Sequence, residues 1–125
     1  MTSPLIPVSW GELLDKIAIL EIKAQRLVAA DARGNAAAEL ELLRRAATDA
    51  PAMPELRAAL LAANTRLWRI EDLIREKEAA GDFGPGFIDL ARSVYRENDE
   101  RARIKRALNQ KLRSVLVEEK QYLAY

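Results

Sequence analysis

The stretch VSWGELLDKIAILEIKAQRL, residues 8–27, decides the fold class of this chain. Ser9 can cap the backbone amide of Glu12, and the Glu12 side chain can reach back to the amide of Ser9, which is a capping box. Val8 and Leu13 occupy the hydrophobic staple positions around it. A helix is therefore predicted from Trp10 to about residue 30.

Apolar residues of this first helix recur at spacings of three and four along two separate strips. The first strip consists of Trp10, Leu13, Ile17, Leu20, Ala24 and Leu27, and the second of Leu14, Ala18 and Ile22. A helix that is apolar on two sides is usually central in a bundle or shared with a second subunit. The pattern therefore predicts one of these two positions.

Proline and glycine divide the rest of the chain into further helices. DARGN, residues 31–35, predicts a break with Asn35 as the next helix cap, and TDAPAMP, residues 48–54, predicts a second interruption. A long helix is expected over Pro54–Ala80 and is stopped by Gly81. Pro85 begins a last helix that is predicted to reach about residue 120, a length of roughly 50 Å at 1.5 Å per residue.

These elements define the fold class. No strand pattern and no internal repeat is visible, and the two prolines of residues 4–7 favour an extended N-terminal strap. We predict an all-α fold in a single domain, residues 1–125. Its architecture is an antiparallel helical bundle of about four helices, with the N-terminal strap and a long C-terminal helix.

The composition excludes several kinds of chemistry. The chain has 125 residues, is 50% hydrophobic and 31% charged, and carries a formal net charge of +1, which is typical of one folded domain. It contains neither cysteine nor histidine, so Ser-His-Asp and Cys-His catalysis, disulfides and the common zinc and haem sites are excluded. We therefore expect no metal site and no cofactor.

Charge and hydropathy also bear on location and partners. No apolar run approaches the roughly 20 residues that span a bilayer, and residues 1–10 do not resemble a secretory signal. We expect a cytoplasmic protein without a membrane partner. The arginines of the last helix are interrupted by Glu97, Asp99 and Glu100, which favours a salt-bridged surface over a nucleic-acid interface.

A polar gap interrupts the inner face of the last predicted helix. The seam is apolar at both ends, but its middle carries Asn98, Arg101 and Lys105. Because the short connector at 81–84 makes the third and fourth helices neighbours, Asn64 is expected near Arg101 and Glu71 near Asn98.

A buried cation is tolerable only when it is paired and hydrogen-bonded. On the first helix, Glu21 lies between the two apolar strips, one turn from Gln25, and is the predicted counter-charge for Arg101 or Lys105. Three interpretations stay open. The gap is a buried polar layer that fixes register and topology, or Arg101 and Lys105 lay their stems on the core and reach water. Alternatively, it is a pocket in which the two cations clamp a small anion and Glu21 acts as orienter or base.

Four segments carry a family resemblance. PVSWGELLDKIAILEIK, LWRIEDLIRE, FIDLARSVYRENDERARIKRALN and VEEKQY, in this order, resemble a family of small uncharacterised all-helical bacterial proteins, a domain of unknown function. The resemblance covers nearly the whole chain. It implies a cytoplasmic, often free-standing bacterial protein, and it implies no activity and no catalytic residue.

Two functions follow as hypotheses. The doubly apolar first helix and the overlong last helix favour a non-enzymatic bundle that acts by protein association, as a homodimer or with another protein partner. The alternative is a binding protein or enzyme for a small carboxylated or phosphorylated metabolite, held in the mid-bundle polar pocket. The tail VEEKQYLAY, residues 117–125, is amphipathic and could cover the bundle end or contact a partner.

Overall fold

A computed structural model describes residues 2–125. Four helices follow one another along the chain: α1 (Trp10–Arg26), α2 (Ala30–Ala46), α3 (Pro54–Ala80) and α4 (Pro85–Lys111). No strand occurs among the residues that the structure describes. The predicted all-α bundle of four helices is confirmed.

The first helix is the centre of the bundle. α1 packs against α2, α3 and α4, whereas α2 packs against α1 alone. Leu14, Ile17 and Leu20 of α1 are buried in the core, together with Leu60 of α3 and Leu108 of α4. Both apolar strips of α1 are therefore used within one chain, and this accounts for their presence without a second subunit.

The third and fourth helices form a hairpin around the predicted connector. Gly81 ends α3 with a left-handed φ of 65°, and Pro85 occupies the first turn of α4. Lys77 lies against Gly86, and Arg66 donates to Glu97 at 2.9 Å further from the connector. Contacts thus run in opposite order along the two helices.

The predicted break at DARGN is wrong. α1 ends at Arg26 and α2 begins at Ala30, so that residues 31–35 lie inside α2 and Asn35 caps nothing. The early break at 27–29 places Ala36 and Leu40 in the core. Burying a leucine contributes roughly 1.5–3 kcal/mol, which outweighs the cost of about 1 kcal/mol for the helical Gly34.

The predicted end of the last helix is also wrong. α4 ends at Lys111, so it has the same 27 residues as α3, although both are longer than α1 and α2 with 17 residues each. Arg113 adopts a left-handed φ of 51°, and the amide of Ser114 donates to the carbonyl of Asn109 at 2.8 Å. Residues 112–125, the C-terminal tail, then fold back along α4, and Val115 is exposed to solvent.

Residues 2–9 form neither helix nor strand, and Leu5 and Ile6 are exposed. Ser9 caps the amide of Glu12 at 3.1 Å, as predicted.

Candidate functional site

Asp15 lies at the centre of the polar layer. Its side chain is only 1% exposed, and it belongs to the face of α1 that meets α3 and α4. Nε of Arg101 donates to Oδ1 at 2.8 Å, Nη2 of Arg101 donates to Oδ2, and Nδ2 of Asn64 donates to Oδ1 at 2.9 Å. Three helices therefore converge on one buried carboxylate, whose charge is matched by a two-pronged guanidinium contact.

Lys105 is the second buried cation, with a side chain that is 8% exposed. Its Nζ donates to Oε2 of Glu12 at 2.8 Å, lies 2.8 Å from Oε2 of Glu118 in the C-terminal tail, and lies 3.9 Å from Oδ2 of Asp15. We refer to Glu12, Asp15, Arg101, Lys105 and Glu118 as the charge cluster. It contains three carboxylates and two cations.

The charge cluster stabilises the ionised forms of Arg101, Lys105 and Glu118. The hydrogen bond with Asp15 raises the pKa of Arg101 against the effect of burial. Burial lowers the pKa of Lys105, but hydrogen bonds with Glu118 and Glu12 outweigh it, so that the net direction is upward. The hydrogen bond with Lys105 lowers the pKa of Glu118. Both cations are thus held charged by carboxylates of the same chain.

A close helix contact brings the cluster together. The amide of Gly11 donates to Oδ1 of Asn109 at 2.7 Å, and a Cβ on Gly11 would lie 2.7 Å from the carbonyl oxygen of Lys105. Only glycine allows α1 and α4 to approach this closely. The contact places Glu12 and Asp15, which follow Gly11 along α1, against Lys105 and Arg101 of α4.

Only half of the predicted capping box forms. The carboxylate of Glu12 accepts from Lys105 and does not serve the amide of Ser9. The buried ammonium of Lys105 gains more from a charged acceptor than a neutral backbone amide does.

The predicted role of Glu21 is wrong. Glu21 pairs with Arg44 of α2 at 3.4 Å, and it lines a separate cavity of about 290 Å³ together with Gln25. Glu21 follows Asp15 by six residues, which turns its side chain roughly 120° around α1 and away from Arg101. Asp15, and not Glu21, is the counter-charge of Arg101.

Four of the predicted site residues do lie together. Asn64, Glu71, Asn98 and Arg101 line a cavity of about 590 Å³ beside Trp68, which we call the Trp68 groove. Oδ1 of Asn98 accepts from Nη1 of Arg101 at 3.4 Å. Lys105 lies outside this groove, against Glu12 and Glu118.

Two central residues were missed, although one of them had a signal. Asp15 follows Gly11 by four residues and precedes Ala18 and Ile22 on one face of α1, so an acid stands inside an apolar strip. No sequence signal indicated Glu118, because its position beside Lys105 depends on the reversal at Arg113.

The described part of the chain, residues 2–125, contains no group of three or more acidic, histidine or cysteine side chains placed to hold a metal ion. Within the same residues, no helix has the length and apolar character that crossing a bilayer requires.

The chain belongs to a family of unknown function (DUF6165), whose sequence model matches residues 5–124. The predicted resemblance to a domain of unknown function is therefore confirmed. No curated protein and no solved structure shows significant similarity to the chain.

Proposed function

We propose that the chain is a non-enzymatic helical bundle that acts by protein association, with a second copy of itself as the partner. One observation carries the proposal. Large apolar side chains stay exposed along one side of α4 and in the C-terminal tail beside it. They are Ile88, Tyr95, Tyr122, Leu123 and Tyr125, which we call the α4 apolar face.

Four of the five members of the α4 apolar face are spatially connected. Ile88 and Tyr95 are seven residues apart on one face of α4, and the rings of Tyr95 and Tyr125 meet at 5.1 Å. Tyr122 and Leu123 line the same cavity as Tyr95. Contiguous exposed apolar surface of this kind typically marks a protein interface.

The charge cluster supports the non-enzymatic part of the proposal. Arg101 is engaged by Asp15, and Lys105 by Glu12 and Glu118, so neither cation is free to clamp a substrate anion. An overhanging last helix no longer supports association, because α4 ends at Lys111. The exposed α4 apolar face is the observation that supports association instead.

The test compares two serine variants with a matched control. Tyr95→Ser and Leu123→Ser each remove an exposed apolar side chain from the α4 apolar face. Leu42→Ser removes a similarly exposed leucine from α2, which packs only against α1. Light scattering over a concentration series should show weaker self-association for the first two variants only. Equal weakening by Leu42→Ser would contradict an interface on α4.

A small-molecule site in the Trp68 groove is the second candidate. Its support is the convergence of Asn64, Asn98 and Arg101 beside an indole ring, in a concave space of the size that metabolites occupy. The ligand would be a carboxylated or phosphorylated metabolite. The internal Arg101–Asp15 bond places this function second, because the guanidinium that would hold the anion is already engaged.

A thermal-shift screen of anionic metabolites tests the second candidate. A compound that raises the unfolding temperature of the wild type, but not that of Trp68→Ala, would establish the groove as a site. A compound that shifts both proteins equally would locate binding elsewhere.

As the family resemblance implies, we place either function in the bacterial cytoplasm, which stays a prediction.

A further inference from the structure

The C-terminal tail reverses direction at a residue that is poorly suited to a reversal. Arg113 has a φ of 51°, in the left-handed region that costs a non-glycine residue about 1–2 kcal/mol. The segment from Leu112 to Tyr125 contains no glycine and no proline. Its sequence is compatible with a straight continuation of α4, and the observed reversal has to be stabilised by contacts of the tail.

Those contacts run antiparallel to α4, and beyond Ser114 they are made by side chains. Proceeding along the tail, Ser114 meets Asn109, Glu118 meets Lys105, and the hydroxyl of Tyr125 donates to Asp99. Each step forward along the tail is a step backward along α4. The contact surface is therefore a groove on α4 that accepts this segment in one direction.

The tail does not pack tightly in this groove. A cavity of about 880 Å³ lies between the tail and α4, lined by Tyr95, Asn98, Tyr122 and Leu123. The side chains of Val115 and Leu123 are 97% and 95% exposed. Ion pairs, hydrogen bonds and one aromatic contact hold the tail, with little apolar burial, so exchange between copies gives up little packing.

We infer that the tail is exchanged between two copies of the chain. This inference rests on the proposed self-association and names the segment that the two copies exchange. When the reversal at Arg113 opens, the tail continues along the axis of its own α4. A second copy related by a two-fold axis at this hinge presents its α4 in the opposite direction, directly ahead.

The exchanged tail finds the same contacts in the second copy. Because it runs antiparallel to α4 in the closed chain, it enters the second copy's groove in the same direction. Its Glu118 then pairs with the partner's Lys105, and its Tyr125 reaches the partner's Asp99. Exchange of an identical segment forms a dimer with no new contact chemistry and relieves the left-handed conformation of Arg113.

Opposite substitutions at the hinge test the inference. Arg113→Gly removes the cost of the left-handed conformation and favours the closed chain, so the dimer should weaken by roughly a hundredfold, about tenfold for each of its two hinges. Arg113→Val disfavours that conformation further and should strengthen the dimer. The hinge is exposed, so both variants should fold. Equal dimer affinities for the two variants would overturn the tail exchange.

Cross-linking identifies the chain that supplies the tail. The chain has no cysteine, so Arg106→Cys in one preparation and Glu119→Cys in another place single thiols on α4 and on the tail. These residues form an exposed pair at 3.5 Å, whose loss has little effect on stability. A mixture of the two treated with a short bismaleimide should give a covalent dimer, and neither preparation alone should.

The outcomes separate this inference from the proposed function. A dimeric protein whose mixture gives no cross-link, while the double variant R106C/E119C links within one chain, would overturn the tail exchange and leave self-association standing. A protein that is monomeric at every concentration would overturn both.

Discussion

The carboxylate of Asp15 on α1 accepts two hydrogen bonds from the guanidinium of Arg101, a residue 86 positions further along the chain. Asn64 completes the coordination of this carboxylate from α3. The polar gap in α4 is thus filled by a carboxylate of the same chain. A buried ion pair of this kind contributes little net stability, but the loss of one partner is costly.

Removing the charge of Asp15 should destabilise the bundle. Asp15→Asn keeps the side-chain size but leaves Arg101 and Lys105 short of a buried counter-charge, and a broken buried pair costs about 3 kcal/mol. Urea unfolding measures the change. The control is Glu21→Gln, which removes only an exposed pair with Arg44 and should change stability by less than about 0.5 kcal/mol. Equal effects would mean that Asp15 is not the central counter-charge.

Replacing all three residues of the polar layer with apolar residues should destabilise the bundle less than removing one charged partner. The triple variant Asp15→Leu/Asn64→Leu/Arg101→Met leaves no unpaired charge on these helices, and apolar replacement of a buried ion pair is often neutral or stabilising by about 1–4 kcal/mol. We expect the triple variant to be more stable than Asp15→Asn, with unchanged self-association. If the free energy of unfolding falls in the triple variant by the sum of the falls in the three single variants, the polar layer is required for the fold itself.

The close contact at Gly11 should tolerate no side chain. A Cβ would lie 2.7 Å from the backbone oxygen of Lys105, so Gly11→Ala must push α1 from α4, at a cost of about 1–3 kcal/mol. Gly34→Ala is the matched control, because Gly34 is helical with no atom within 4 Å of the added Cβ. The control should gain about 0.5–1 kcal/mol. Thermal unfolding should show a lower unfolding temperature for Gly11→Ala and a higher one for Gly34→Ala.

Acid should loosen the tail before it unfolds the bundle. The folded-state pKa of Glu118 is lowered, chiefly by its hydrogen bond with Lys105. The stabilisation is therefore present above the unfolded-state pKa and is lost as the pH falls below about 4.3 toward the folded-state value. Glu118→Gln should flatten this part of the stability profile. An identical acid slope in wild type and variant would show that Glu118 is not linked to Lys105.

Much of the architecture was predictable from local patterns. The helix start at Trp10, the α3–α4 connector and the central position of α1 depend on capping, glycine and proline chemistry, and the spacing of apolar residues. The boundary between α1 and α2 was not predictable in this way. Gly34 and Asn35 are local break signals, and the burial of Ala36 and Leu40 overrides them.

The site was predictable in part. Asn98, Arg101 and Lys105 stood out because polar residues interrupted an apolar seam. The same test applied to α1 identifies Asp15, an acid inside an apolar strip of that helix. Glu118 depends on a left-handed residue at 113, and an arginine there carries no sequence signal for a reversal.

Sedimentation equilibrium of the wild-type chain, from low to high micromolar concentration, tests the central claim of self-association most directly. The account predicts that the mean mass rises from the single-chain value of 14.0 kDa toward twice that value. A mass that stays at 14.0 kDa over the whole range would contradict it.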